Sequence, residues 1–176
     1  MIFRELEIPG VFLLEPERKE DHRGFFARTY CRRELEAHHL DPTVVQCSIS
    51  VNHQRGTVRG MHWQAAPHEE IKLVRCTRGA IHDVILDLRP DSPTYTQHLA
   101  VVLDCENRLS LYIPAGIAHG FQTLEDATEV FYQMSEFYVP EAARGVRWND
   151  PAFSITWPLE VAVIADKDLE FPDFER

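Results

Sequence analysis

Two stretches of the chain carry the residue types that enclosed proton chemistry needs. The first, TVRGMHWQAAPHEEIKLVR from Thr57 to Arg75, places one imidazole, His62, and one lysine, Lys72, on strand-like segments that face a shared interior. The second, IPAGIAHGF from Ile113 to Phe121, turns at Pro114 and Gly116 and brings in His119 three residues after the glycine. An imidazole with its ordinary pKa of ~6.5 takes or gives a proton near neutrality. Two imidazoles beside an ammonium in an enclosed space suit proton transfer on a substrate that becomes anionic.

The same positions argue against a metal centre. A jelly roll that holds a metal supplies a His-x-His pair, a Glu, and a third His after a Pro-x-Gly turn. Here Gln64 stands two residues after His62, and Lys72 occupies the place of the Glu, seven residues before Gly79. An ammonium there repels a dication. Cys31, Cys47, Cys76 and Cys105 lie 16, 29 and 29 positions apart, without the paired short spacing of zinc sites. They read as reduced, buried thiols of a cytosolic protein.

The 176 residues suit one domain, 1–176, large enough for one core. Eighteen basic against 28 acidic side chains give a net charge of -10, which disfavours nucleic acid and anionic membrane surfaces as partners. An anionic ligand must therefore be held by local cations. MIFRELEIPG carries Arg4 and Glu5 and lacks an apolar signal core, and no run approaches the ~18 apolar residues of a spanning helix. A soluble, cytoplasmic protein is expected.

The elements that must position these groups are mostly short strands. Residues 1–15 read as two strands around Pro9 and Gly10, DHRG as a turn, FFARTY as a strand, and RRELEAHH as a helix closed by Asp41 and Pro42. From Val44 onward come VVQCSISV, TVRGMHW, IKLVRCT, AIHDVILDL, HLAVVLD, RLSLYI, GFQTL and TEVFYQMSEFYV, punctuated by Gly and Pro turns. Many short strands with little helix predict an all-β sandwich or barrel. The tail after Val146 reads as irregular chain with one or two edge strands. Trp148 and Trp157 anchor it, which lets Lys167 and Asp168 reach the interior opening.

Taken together, RGMHWQ, IKLVRC, HDVILDLRPDSPTY, IPAGIAHGF, VRWNDP and ADKD, with DHRGFF near the start, resemble the dTDP-4-dehydrorhamnose 3,5-epimerases and their close sugar-nucleotide epimerase relatives. The motifs run in order and with near-constant spacing from Arg23 to Asp168. The resemblance implies a cupin-type jelly roll with a few short helices. It also implies a homodimer whose N-terminal part crosses to the partner, and catalysis without a metal or other cofactor.

The implied substrate is a nucleotide-linked 4-keto-6-deoxyhexose, whose C3' and C5' protons are acidified by the adjacent carbonyl. Epimerisation then needs a base on one face, an acid on the other, and support for the enolate oxygen. The family pattern places the base at His62, its orienting carboxylate at Asp168, the proton donor at Tyr132 and the enolate support at Lys72. Arg59 and His119 fall on substrate contacts, and Asp83 on the partner of an imidazole. Arg23, Gln46 and Lys167 fall on nucleotide-binding positions, and Tyr138 on the ring that stacks against the base.

Three positions depart from the pattern. Arg28 and Ala143 stand where the family often has Glu, and Ser48 where it often has Asn, which leaves open the nucleotide base and whether both carbons are inverted. A metal-dependent cupin oxygenase or isomerase and a non-catalytic sugar-binding module are the competing classes. The full set of His62, Lys72, Tyr132 and Asp168 favours the epimerase over both.

Overall fold

The computed structural model describes residues 1–175. In chain order its elements are β1 (Ile2–Glu5), β2 (Phe12–Glu15), β3 (Lys19–Asp21), β4 (Gly24–Phe26), α1 (Arg32–Ala37), β5 (Gln46–Asn52), β6 (Val58–Gln64), β7 (Lys72–Arg78) and β8 (Ala80–Asp87). Then follow β9 (His98–Asp104), β10 (Ser110–Ile113), β11 (Ile117–Thr123), β12 (Thr128–Met134), a 3₁₀ turn at Pro140–Ala142, β13 (Ala143–Gly145) and α2 (Asp166–Leu169).

Side chains point alternately to the two faces of each strand, and the strands of the main body stack as two antiparallel sheets, with β10 and β11 buried on both faces. One has six strands in the order β1-β2-β10-β7-β12-β5, the other five in the order β13-β6-β11-β8-β9. A separate hairpin, β3-β4, stands off both. The core lies between the sheets, where Val74, Leu111, Ile113 and Val130 from the first meet Ile81, Ile85, Leu103 and Phe121 from the second. This is the sandwich of a cupin-type jelly roll.

Both outer faces are also covered in part. On the six-stranded sheet α1 docks through Leu35, which is 2% exposed and packs with Leu14, Leu73 and Tyr112. Six residues are too few for a helix to stand alone. Burying that leucine, worth ~2 kcal/mol, holds it in place. On the five-stranded sheet Val84, Leu86 and Ala118 are roofed by the tail through Phe153, Trp157 and Phe174.

The strands of the two main sheets and the helix fall close to where alternation and turn residues put them, with several differences. Strands β3 and β13 arise where no strand was expected, and the tail expected to hold one or two edge strands has only the isolated bridge of Val163 to Thr57 among the described residues. Of the four cysteines Cys76 alone is buried. Of the FFARTY segment only Phe25 and Phe26 pair, joining Gly24 in the short β4, and the chain then leaves the hairpin for α1. The long run from Thr128 ends as a strand at Met134. Beyond it Ser135 closes the end of the β7–β12 ladder by bonding Ile71 through both backbone and hydroxyl. The tail contains one turn of helix, α2, too short for any sequence periodicity to reveal. Trp157 anchors the tail as expected, donating its indole N–H to Trp148 O at 2.9 Å. Among the described residues no helix is long and apolar enough to cross a membrane.

Candidate active site

β6 and β11 lie side by side in the five-stranded sheet, with His62 directly opposite His119 and a register shift immediately after the pair. The local backbone admits no side chain between them. Gly60 has φ +122°, and a Cβ on it would fall 2.5 Å from Gly120 Cα, while one on Gly120 would fall 2.6 Å from Met61 Sδ. Two glycines thus let the backbones touch, and the irregularity re-aims the imidazoles onto one wall of a cleft.

Each imidazole is held by a carboxylate. His62 Nε2 lies 2.7 Å from Asp168 Oδ1, and the Gly60 amide donates to the other oxygen, Oδ2, at 3.3 Å. Asp168, on α2, is 1% exposed, whereas the His62 side chain keeps 35% of its surface open to the cleft. Burial by itself would raise the Asp168 carboxyl. The hydrogen bond and charge of His62, helped by the Gly60 amide, outweigh it and hold the group below the usual carboxylate range. An ionised Asp168 accepts a hydrogen bond from Nε2–H, and that tautomer puts the ring's lone pair on Nδ1. The second pair, His119 Nε2 and Asp83 Oδ2, is 2.8 Å apart and almost wholly buried.

The facing wall comes from the six-stranded sheet. Tyr132 on β12 meets the His119 ring edge-on, with centroids 5.9 Å apart. Burial pushes its phenol well above the ordinary value, and the nearby charge of Asp83 adds to that. The group is therefore a protonated donor at any physiological pH. Lys72, at the start of β7, is buried, and its ammonium donates to His62 O at 3.1 Å and to Glu70 Oε1 at 2.9 Å.

These groups share one cleft of about 650 Å³. His62, Lys72, His119, Tyr132 and Asp168 line it, together with Gln46, Arg59, Tyr138 and Lys167. A second hollow of about 460 Å³ adjoins it past Tyr138 and Lys167 and is walled by Trp63, Ala143, Arg144 and Phe171. The arrangement puts a carboxylate-oriented base on one side, a neutral hydroxyl acid on the other, and a buried ammonium beside them. Such a site can move a proton off one face of a carbon and onto the opposite face.

Comparison with known proteins decides which family builds this site. A family model described as dTDP-4-dehydrorhamnose 3,5-epimerase matches residues 5–176. The chain belongs to the dTDP-4-dehydrorhamnose 3,5-epimerase family. A Sinorhizobium fredii relative of that name is 41% identical over 173 residues, 98% of this chain and 89% of its own length. A crystal structure of the Bacillus anthracis dTDP-4-dehydrorhamnose 3,5-epimerase, with TDP and PPi bound, superposes with a TM-score of 0.95 at 39% identity, covering 98% of this chain and 99% of that one. The Legionella pneumophila enzyme in complex with dTDP-4-keto-L-rhamnose superposes with a TM-score of 0.89 at 30% identity, covering 99% of both chains. The chain is thus an isomerase, an epimerase of this family.

The cleft gathers all but one of the sequence-predicted site residues. The exception is Arg23, which sits on the β3-β4 hairpin, 78% exposed and paired with Asp21 at 2.6 Å, away from the cleft of its own chain. Tyr138 is 61% exposed at the mouth, its amide donating to Gln46 Oε1 at 3.3 Å. Arg59 is steadied by Asn52 Oδ1 at 2.7 Å. Of the departures, Ser48 lines the cleft and Ala143 the adjoining hollow, while Arg28 pairs with Glu34 at 2.5 Å. Sequence reasoning missed Glu70, which lies in a polar HEE run that reads as a solvated loop. It also missed Phe171, whose ring sits 6.1 Å from that of His62 from within a tail read as irregular.

Proposed function

We propose that this chain epimerises C3' and C5' of dTDP-4-dehydro-6-deoxyglucose, giving dTDP-4-dehydrorhamnose, through an enolate and without a cofactor. The observation that carries the reading is the His62–Asp168 pair on one wall of the cleft with Tyr132 on the other. His62 Nδ1 takes the proton from the carbon beside the ketone, and the resulting imidazolium is stabilised by Asp168. Negative charge gathers on the C4' oxygen, where the Lys72 ammonium, shielded from water, offsets it. Tyr132 then returns a proton from the opposite side, inverting the centre. Its raised pKa suits this role, because it yields its proton only to a strong base such as the enolate carbon.

Arg59, His119, Gln46 and Lys167 hold the sugar diphosphate, and the exposed Tyr138 ring stacks on the pyrimidine. Arg59 and Lys167 supply the local positive charge that a chain of net charge -10 requires for an anionic ligand. Arg23 serves the cleft of a second copy in a homodimer. In support, its hairpin carries the exposed Phe25 and Phe26, and the edge strand β5 shows Ile49 and Val51 to solvent.

The test is incubation of dTDP-4-keto-6-deoxyglucose with the protein in heavy water, read by NMR. Deuterium at both C3' and C5' is expected. Incorporation at neither carbon would refute the reading, and incorporation at one alone would reduce it to a mono-epimerase.

A further inference from the structure

Glu70 has no part in the reaction so far, yet its side chain is only 9% exposed and lies where the two hollows meet. A carboxylate withdrawn from water is costly unless it is paired. Its partner is Lys72, whose side chain is 10% exposed and whose Nζ lies 2.9 Å from Glu70 Oε1. A second N–H of the same ammonium goes to His62 O at 3.1 Å. An ammonium has three donors and spins about its last bond unless something stops it. Two acceptors on different segments of chain stop that rotation. The tetrahedral nitrogen then has one uncommitted N–H, with its direction set.

We infer that Glu70 is a positioning residue for the epimerisation, locking the Lys72 ammonium so that its one free N–H points to the oxygen where charge develops. The inference rests on the functional reading above. Glu70 itself does not touch the reacting atoms. It acts by fixing a donor before the charge appears, so that no reorganisation is needed when the enolate forms. The His62 carbonyl ties that donor to the strand bearing the base, which keeps ammonium and imidazole in register.

The experiment measures kcat, KM and solvent deuterium incorporation with dTDP-4-keto-6-deoxyglucose for the wild-type protein and three variants, with thermal unfolding followed alongside. Glu70→Gln keeps the length and an acceptor oxygen, Glu70→Ala removes the acceptor, and Glu70→Asp keeps the charge but draws it back by about 1.5 Å. Glu70→Ala is expected to lower kcat roughly 10- to 100-fold with KM within about threefold, a loss confined to the transition state. Glu70→Gln should recover to within about fivefold of wild type, and Glu70→Asp should fall about tenfold even if the alanine variant does not fold.

Wild-type kcat in Glu70→Ala or Glu70→Asp, a glutamine variant as impaired as the alanine one, or a change in KM alone would each overturn the assignment. A wild-type protein that incorporates no deuterium would instead overturn the functional reading, and this inference with it.

Discussion

Replacing Asp168 by Asn tests the dyad more sharply than removing it. The carboxylate has two jobs in this structure: Oδ2 accepts from the Gly60 amide at 3.3 Å and Oδ1 from His62 Nε2 at 2.7 Å. An asparagine amide must offer its oxygen to Gly60, because a backbone N–H can only donate. That turns the amide NH₂ toward Nε2, which must then accept, and the ring proton moves to Nδ1. The base is thereby capped on the side that faces the cleft. The equivalent exchange in a Ser-His-Asp triad costs ~10⁴ in kcat. Here the expected loss is on the order of 10³ to 10⁴, or about 4–5.5 kcal/mol of barrier, with KM changed little. Asp168→Ala imposes no wrong tautomer, since water can enter the space, and should lose only ~10² to 10³. Deuterium incorporation at C3' and C5' measures both variants, with circular dichroism confirming the fold. An asparagine variant within tenfold of wild type, or an alanine variant worse than the asparagine one, would refute the tautomer reasoning.

Three further outcomes are expected. Tyr132→Phe should lower formation of inverted product by ~10² to 10³ while deuterium still enters with retention, because His62 can return a deuteron to the face it came from. Since the phenol oxygen has no hydrogen-bond partner among the described residues, the change should alter stability by less than ~0.5 kcal/mol in a urea titration. Asp87, fully buried, has its carboxyl lowered to about 2; burial opposes the shift, and Arg89, Ser92 and Thr94 outweigh it. A lowered folded-state pKa contributes stability that is present above the unfolded value of ~3.9 and is lost as pH falls through the folded one, here ~2 kcal/mol between pH 5 and 2. Denaturation across that range should show the fall, and Asp87→Asn should flatten it. Arg23→Ala should raise KM by roughly 10- to 100-fold, and co-refolding it with His62→Asn should restore up to about a quarter of wild-type activity through hybrids with one intact site. Failure to complement would remove the crossed hairpin.

Most of the sandwich was legible because its strands obey the period that burial on one face imposes. The turns after Gly56, Gly79 and Asn107 fall between strands that the alternation already delimits. What escaped was held by contacts distant in sequence. Strand β4 pairs only with the three residues of β3, and the single turn of α2 carries Asp168 against His62, 106 positions away. No local pattern announces such a pair: the tryptophan anchors of the tail bring Asp168 to the interior opening, but its pairing with His62 comes only through family resemblance. Glu70 escaped for the opposite reason. Its neighbours look like a solvated loop, and only the packed structure shows that the end of that loop dips into the cleft to meet a lysine two residues on.

The close contact of Gly60 with Gly120 makes the site's capacity for change lopsided. On the wall that carries both imidazoles, the residues next to them cannot gain even a methyl group without driving two backbones apart. Drift toward new sugars or bases is blocked there. It remains open on the rim, where Ser48 and Lys167 are exposed and neither strand geometry nor core packing penalises a larger or differently charged side chain. Directed evolution of this scaffold would therefore find altered ligand range along β5 and the C-terminal segment, with the proton-transfer apparatus left untouched.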